Sequence, residues 1–183
     1  MYFDPDAFAH GPIESKIWLC NALRRLVLAP INNVYVLGAW SGTMAFLLHS
    51  SEAIAYNRII NVDIDLAALA QSRKICNAIE CNGKLLTVAE DCNMLAYPLD
   101  QHNLIINTST DNISGDTWFR KIPSGTLVAL QGRSGGHWDD VRSYPLINEF
   151  DQAYPMSTTL LLDSRELMYP DHSYTRYMKI GIK

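Results

Sequence analysis

The run Asn33-Val34-Tyr35-Val36-Leu37-Gly38-Ala39-Trp40-Ser41-Gly42-Thr43 decides the fold. Its first part is nearly continuous in apolar residues, which marks a strand buried on both faces, as in parallel sheets sandwiched by helices. A glycine turn, Gly38 to Gly42, follows at once, and a helical stretch runs from Thr43 to about His49. Strand, glycine turn and helix in that order begin an α/β unit.

The same alternation continues outward. Upstream, Ile13, Ile17, Trp18, Leu23, Leu26 and Val27 share a helical stripe that ends before Pro30. Downstream, Arg58–Asp63 is a second strand ending on an acid. Asp65 can cap the next helix, which carries Leu66, Leu69, Ile75, Cys76 and Ile79 and breaks at Asn82-Gly83. Leu85–Val88 is a third strand, ending in Glu90-Asp91; Asn103–Asn107 is a fourth and Gly125–Gln131 a fifth. A helix is expected from Pro145 to Tyr154 with Ser143 as its cap. Two β-rich runs, Thr158–Asp163 and Tyr174–Ile182, are joined by a loop holding Pro170-Asp171, with no helix between them, so they form an antiparallel hairpin at the sheet edge. The expected fold is α/β, doubly wound, with a mostly parallel seven-stranded sheet and an antiparallel C-terminal hairpin.

Composition narrows the class. The 183 residues suit a single domain spanning 1–183, with residues 1–12 read as a flexible N-terminal segment. Hydrophobic residues make up 48% and charged ones only 19%, which supplies a core and argues against long disorder. Nineteen acidic residues against fifteen basic ones, with no basic arm in either half, give no support for strong nonspecific nucleic-acid binding. No apolar run reaches the roughly 18 residues a bilayer span needs. Met1-Tyr2-Phe3-Asp4-Pro5-Asp6 lacks the basic start and apolar core of a signal peptide. Cys20, Cys76, Cys81 and Cys92 are scattered and match no metal-ligand spacing. Reduced cysteines in a cytoplasmic protein, with no bound metal and no membrane partner, are therefore expected.

In wound sheets, ligands bind beyond the carboxyl ends of the strands. The residues placed there are Gly38 to Gly42, Asp63, Asp91 and Asn107. A glycine turn lets backbone approach a ligand closely. The following helix offers free N–H groups. An acid ending the second strand can accept two hydrogen bonds from a ribose diol. Asp63 lies 25 residues past Gly38 and Asp91 lies 28 further on, each at a strand end.

In this order VYVLGAWSG, IINVDID, LLTVAEDCNML, NLIINTS and GTLVALQG resemble motifs I to V of the class I S-adenosylmethionine-dependent methyltransferases, a Rossmann-like superfamily. TTLLLD and YTRYMKIGIK fit that family's last two strands, so the resemblance covers residues 13 to 183. It implies S-adenosylmethionine as cofactor. It implies that Gly38, Ala39, Trp40 and Gly42 line its methionine part, that Asp63 holds the ribose hydroxyls, and that Ile64 packs on the adenine. Asp91 and Cys92 would border the adenine amine, and Asn107 would sit beside the sulfonium and the acceptor. The chain departs from the family pattern at Val36, where an acid is usual, at Trp40, the middle glycine of the turn, and at Asn103, where an aspartate usually opens strand four. It lacks the D/N-P-P-Y tetrad of amino-methylating DNA enzymes.

Three residues are candidates for the chemistry. Asn107 could orient a nucleophile or cap the turn after its strand. Asp111, in the next loop, could take a proton or be a solvated loop acid. His137, in Gly132-Arg133-Ser134-Gly135-Gly136-His137-Trp138, titrates in the range a general base needs. Glu14, Ser15 and Lys16 could border the cofactor mouth. Arg165, Arg176 and Lys179 could gather into a small patch for an anionic partner. The acceptor, small molecule or macromolecule, is not legible, and 183 residues leave room for help from a partner subunit. Two other functions fit the same pattern. One is a non-catalytic cofactor- or partner-binding protein of this fold. The other is a NAD(P)-binding oxidoreductase, against which the absence of G-x-G-x-x-G speaks.

Overall fold

The computed structural model describes residues 5–98, 102–135, 140–168 and 173–183. Seven strands form one sheet in the order β3-β2-β1-β4-β5-β7-β6. They are β1 (Ile31–Leu37), β2 (Tyr56–Asp63), β3 (Leu85–Ala89), β4 (Asn103–Asn107), β5 (Leu127–Arg133), β6 (Thr158–Met168) and β7 (Ser173–Ile182). The first five are mutually parallel, and β7 runs antiparallel to both β5 and β6. The expected hairpin is present, but its second strand lies inside the sheet and β6 forms the edge. The helices are α1 (His10–Leu26), α2 (Thr43–Ser50), α3 (Leu66–Ile75), α4 (Asn77–Cys81), α5 (Thr117–Arg120) and α6 (Ile147–Ala153).

Strand alternation sorts the core into two faces. Val34 and Val36 of β1, with Leu104 and Ile106 of β4, pack beneath Leu19 and Leu23 of α1 and Met44 and Leu48 of α2. Tyr35, Leu37 and Ile105 point to the other face. That second face has little helix over it. α5 is a single turn, and among the described residues β3 and β4 are linked only through a 3-10 turn, Cys92–Met94. Large rings provide the cover instead: Trp118, Phe119, Phe150 and Tyr154 are fully buried there.

Local signals act where the sequence placed them, with three shifts. Asp65 caps α3, its Oδ1 accepting the N–H groups of Ala67 and Ala68 at 2.7 and 3.3 Å. The helix read as continuous from there is instead split at Cys76, whose thiol is drawn to the Gly42 carbonyl at 3.5 Å. The helix expected from Pro145 begins at Ile147, and Ser143 does not cap it. Residues 144 and 145 are committed to the sheet: the Tyr144 N–H donates to the Arg133 carbonyl, and the Tyr177 hydroxyl to the Pro145 carbonyl. The N-terminal stretch forms a 3-10 turn, Pro5–Phe8, and the Thr43 hydroxyl donates to the Ala7 carbonyl at 3.0 Å. No helix among the described residues is long and apolar enough to cross a membrane.

Candidate active site

The parallel strands deliver their carboxyl ends to one rim. Pairing places Leu37 beside Val62 and Asn107, and Asp63 beside Ala89, so the turn after β1, the end of β2, the Glu90-Asp91 corner and Asn107 are neighbours. Gly38, Trp40 and Gly42 all hold positive φ, at 59°, 48° and 78°. Glycine does so freely; Trp40 does so at a cost of about 1–2 kcal/mol. Its N–H donates to Asp63 Oδ2 at 2.7 Å, which holds the turn in this shape. The other oxygen, Asp63 Oδ1, accepts the Asp65 N–H at 3.0 Å. Each carboxylate oxygen has a second lone pair, so Asp63 retains acceptor capacity.

The glycines do not face open space. A Cβ on Gly38 would come within 3.3 Å of the Ser109 Cβ and 3.5 Å of Ile113, and one on Gly42 would overlap the Ser72 hydroxyl. Their Cβ positions face the loop after β4 and α3, so the missing side chains make room for close packing of the turn against these elements. Ser41 is likewise turned inward, its hydroxyl donating to Gln71 at 3.0 Å.

Asp91 begins the 3-10 turn. Its Oδ1 accepts both the backbone and the side-chain N–H of Asn93, at 2.8 and 3.0 Å. Asn93, which the sequence did not mark, ties this corner to α5 and the loop before it: its Nδ2 donates to the Ser114 carbonyl and its Oδ1 accepts the Trp118 N–H. Apolar side chains stand open to solvent beside the two acids: Ile64 is 76% exposed, Leu66 71% and Met94 68%. Cys92 points the other way, into the core. Burial, followed by the Asp91 charge, pushes its thiol up to about 12.

Asn107 is fully buried and caps its own turn, with Oδ1 accepting the Ser109 N–H at 2.9 Å. Its Nδ2 has no partner among the described residues. Asp111 is not a solvated loop acid. It is buried, 3.3 Å from Arg133 Nε and 3.5 Å from Arg176 Nη1. Burial pushes its carboxyl above the ordinary aspartate range, against the opposing pull of Arg176 and Arg133. His137 and its neighbours Gly136 and Trp138 lie outside the described residues, as do Tyr2, Phe3, Asp4, Pro170 and Asp171. Ser15 is buried and exchanges two hydrogen bonds with Gln131 of β5, at 3.0 and 2.9 Å. The three-residue cationic patch does not form. Arg176 turns to the α1 face, whereas Lys179 turns to α6, where it meets Asp151 at 2.6 Å.

Sheet order separates this fold from the dinucleotide-binding order 3-2-1-4-5-6, because β7 is inserted between β5 and β6. No protein-family model matches the sequence, and no curated protein matches it either. Solved structures do. Magnesium protoporphyrin IX methyltransferase from Synechocystis PCC 6803, crystallised with bound S-adenosylmethionine, aligns over 99% of this chain and 85% of its own at 9% identity and a TM-score of 0.69. The YcgJ protein from Bacillus subtilis aligns over 91% and 98% at 10% identity and a TM-score of 0.68. The O-methyltransferase segment of StiE aligns over 90% and 73% at 14% identity and a TM-score of 0.58. The chain has the fold of the class I S-adenosylmethionine-dependent methyltransferases.

Proposed function

We propose that this chain binds S-adenosylmethionine at the carboxyl rim of its sheet and transfers the methyl group to an acceptor beside Asn107. One observation carries the reading: the Trp40 turn, Asp63 and Asp91 share a rim with exposed Ile64, Leu66 and Met94. Acceptor oxygens next to bare apolar side chains suit a ribose diol and a flat purine. Asp63 would hold the ribose through its remaining lone pairs. Asp91 would meet the adenine amine, with Ile64 and Met94 against the ring. The turn from Gly38 to Gly42, with Ala39, would border the methionine part, beside Ser109.

When bound, the cofactor supplies a methyl group already activated on a sulfonium. The protein's task is then alignment. The Asn107 amide donor, without a partner among the described residues, is the group proposed to orient an acceptor oxygen or nitrogen. To take up a proton, Asp111 would first have to leave Arg133 and Arg176, so this reading assigns it the role of their counter-charge. The protein is proposed to act in the cytoplasm.

Calorimetric titration with S-adenosylmethionine, S-adenosylhomocysteine, NAD and NADP tests the reading. Saturable binding of the first two alone is expected, followed by transfer of a labelled methyl to a suitable acceptor. Stabilisation only by the dinucleotides would overturn it. Tight binding without transfer would leave a cofactor-binding protein.

A further inference from the structure

Arg133, Arg176 and Arg165 stand directly opposite one another on β5, β7 and β6, in one row across three strands. Directly paired residues share a face, and like charges so placed repel. This face is the one covered by α1, where Arg165 lies 5.2 Å over the Trp18 ring and 3.6 Å from Glu14. Lys16 of α1 comes to the same place. Burial, then the Arg176 charge, pulls its ammonium down to about 8, while Asp111 opposes this less strongly. At Lys16 the guanidinium thus outweighs the carboxylate.

Among the described residues, three acids meet this row. Asp140 pairs with Arg133. Asp111 is divided between Arg133 and Arg176 at 3.3 and 3.5 Å, both long for a charge-assisted hydrogen bond. Glu14 is divided between Arg165 and His10. Arg176 is only 7% exposed, and its Nε has no partner among the described residues. A buried guanidinium N–H without an acceptor is costly, and an incoming oxyanion would supply one. Arg176 also donates to the carbonyl of Thr108, the residue after Asn107, so the row borders the corner where the acceptor is proposed to sit.

We infer that the Arg133–Arg176–Arg165 row, with Lys16, is a binding site for an oxyanion carried by the methyl acceptor, a carboxylate or a phosphoryl group. The inference rests on the proposed methyl transfer only for calling that anion part of the acceptor. The anion site itself stands on the row. It selects acidic acceptors and holds them by the charged end, leaving the reacting atom to reach Asn107.

The test is titration of the full chain with sodium acetate and, separately, sodium phosphate, at constant ionic strength set with sodium chloride and followed by thermal unfolding. A saturable rise in Tm with at least one anion is expected. Acetate alone would identify a carboxylate acceptor and phosphate alone a phosphoryl one. Arg165→Gln and Lys16→Gln should each weaken that binding by about tenfold, the scale of one charge-assisted hydrogen bond. Arg176→Gln should weaken it more; if that variant does not fold, the other two carry the test. A rise no greater than sodium chloride gives, or one that survives both substitutions, overturns the site. S-adenosylhomocysteine binding is measured on the same samples. If it is present while the anion response is absent, this inference alone fails. If it is absent while the anion response persists, the methyltransferase reading fails and the anion site stands.

Discussion

The Trp40 N–H donates to Asp63 Oδ2 at 2.7 Å, so the carboxylate proposed to grip a ribose also holds the turn beside it. Asp63 therefore has two separable roles. Asp63→Ala removes both and should weaken S-adenosylhomocysteine binding by about 1.5–3 kcal/mol, the scale for losing hydrogen bonds to a charged group. Asp63→Asn keeps one oxygen acceptor and should recover part of the loss. Calorimetry on folded protein decides: unchanged affinity in Asp63→Ala would remove this residue from the site.

Trp40 occupies left-handed backbone, with φ of 48°. A comparison of two substitutions isolates that cost, because Trp40→Gly and Trp40→Ala both remove the ring. Glycine occupies this region without strain, whereas alanine does not. Trp40→Gly should accordingly be more stable than Trp40→Ala by about 1 kcal/mol in urea unfolding. If the ring also borders the cofactor, both variants should bind S-adenosylhomocysteine more weakly, and the Trp40 contribution to fluorescence should change on titration of the parent chain.

Lys179 is 2% exposed, yet its ammonium is fully used. It meets Asp151 Oδ1 at 2.6 Å and donates to the carbonyls of Asp151 and Tyr154 at 3.0 and 2.7 Å, closing the C-terminal end of α6. Lys179→Met leaves those carbonyls without their donor while filling the space. Asp151 is partly exposed, so its orphaned charge can be solvated, and the loss should fall below the range for fully buried pairs, at about 2 kcal/mol. Denaturant unfolding measures it; a neutral outcome would mean that water replaces the ammonium at no cost.

What the sequence discloses follows distance along the chain. The apolar runs, the Asp65 cap and the acids at the ends of β2 and β3 are local signals, and each lies at its expected place in the fold. The Arg133–Arg176–Arg165 row is invisible until strand order and register are known, because nothing in spacing pairs residue 133 with 176. The same holds for Asp111: a lone acid in a polar loop reads as solvated, and only the return of β7 buries it under Arg176. Gly38 and Gly42 were legible as glycines that a turn demands, but the partners facing them, Ser109 and Ser72, come from other elements. The thin helical cover on the second face could not be read from periodicity, since rings from short segments do the packing there.

Lys16 gives the molecule a pH signature. Its folded-state pKa, about 8, lies below the 10.5 of an ordinary lysine, so between those values the unfolded chain binds more protons at this position than the folded one. Stability owed to this group therefore rises with pH across about 8 to 10.5. Below that window the ammonium is charged in both states, and burying it, with the smaller repulsion from Arg176, costs the fold a constant amount. Buried thiols act in the opposite sense. Burial pushes Cys76 and Cys92 up to about 11 and about 12, so they favour the unfolded chain as pH climbs above their ordinary 9. The comparison must for this reason be a difference. Lys16→Met should be more stable than the parent chain at pH 7, and that advantage should shrink as pH rises from 8 to 10. Urea unfolding of both chains at matched ionic strength measures it; a stability gap that stays flat over this range would show that Lys16 titrates as an ordinary exposed lysine, away from Arg176.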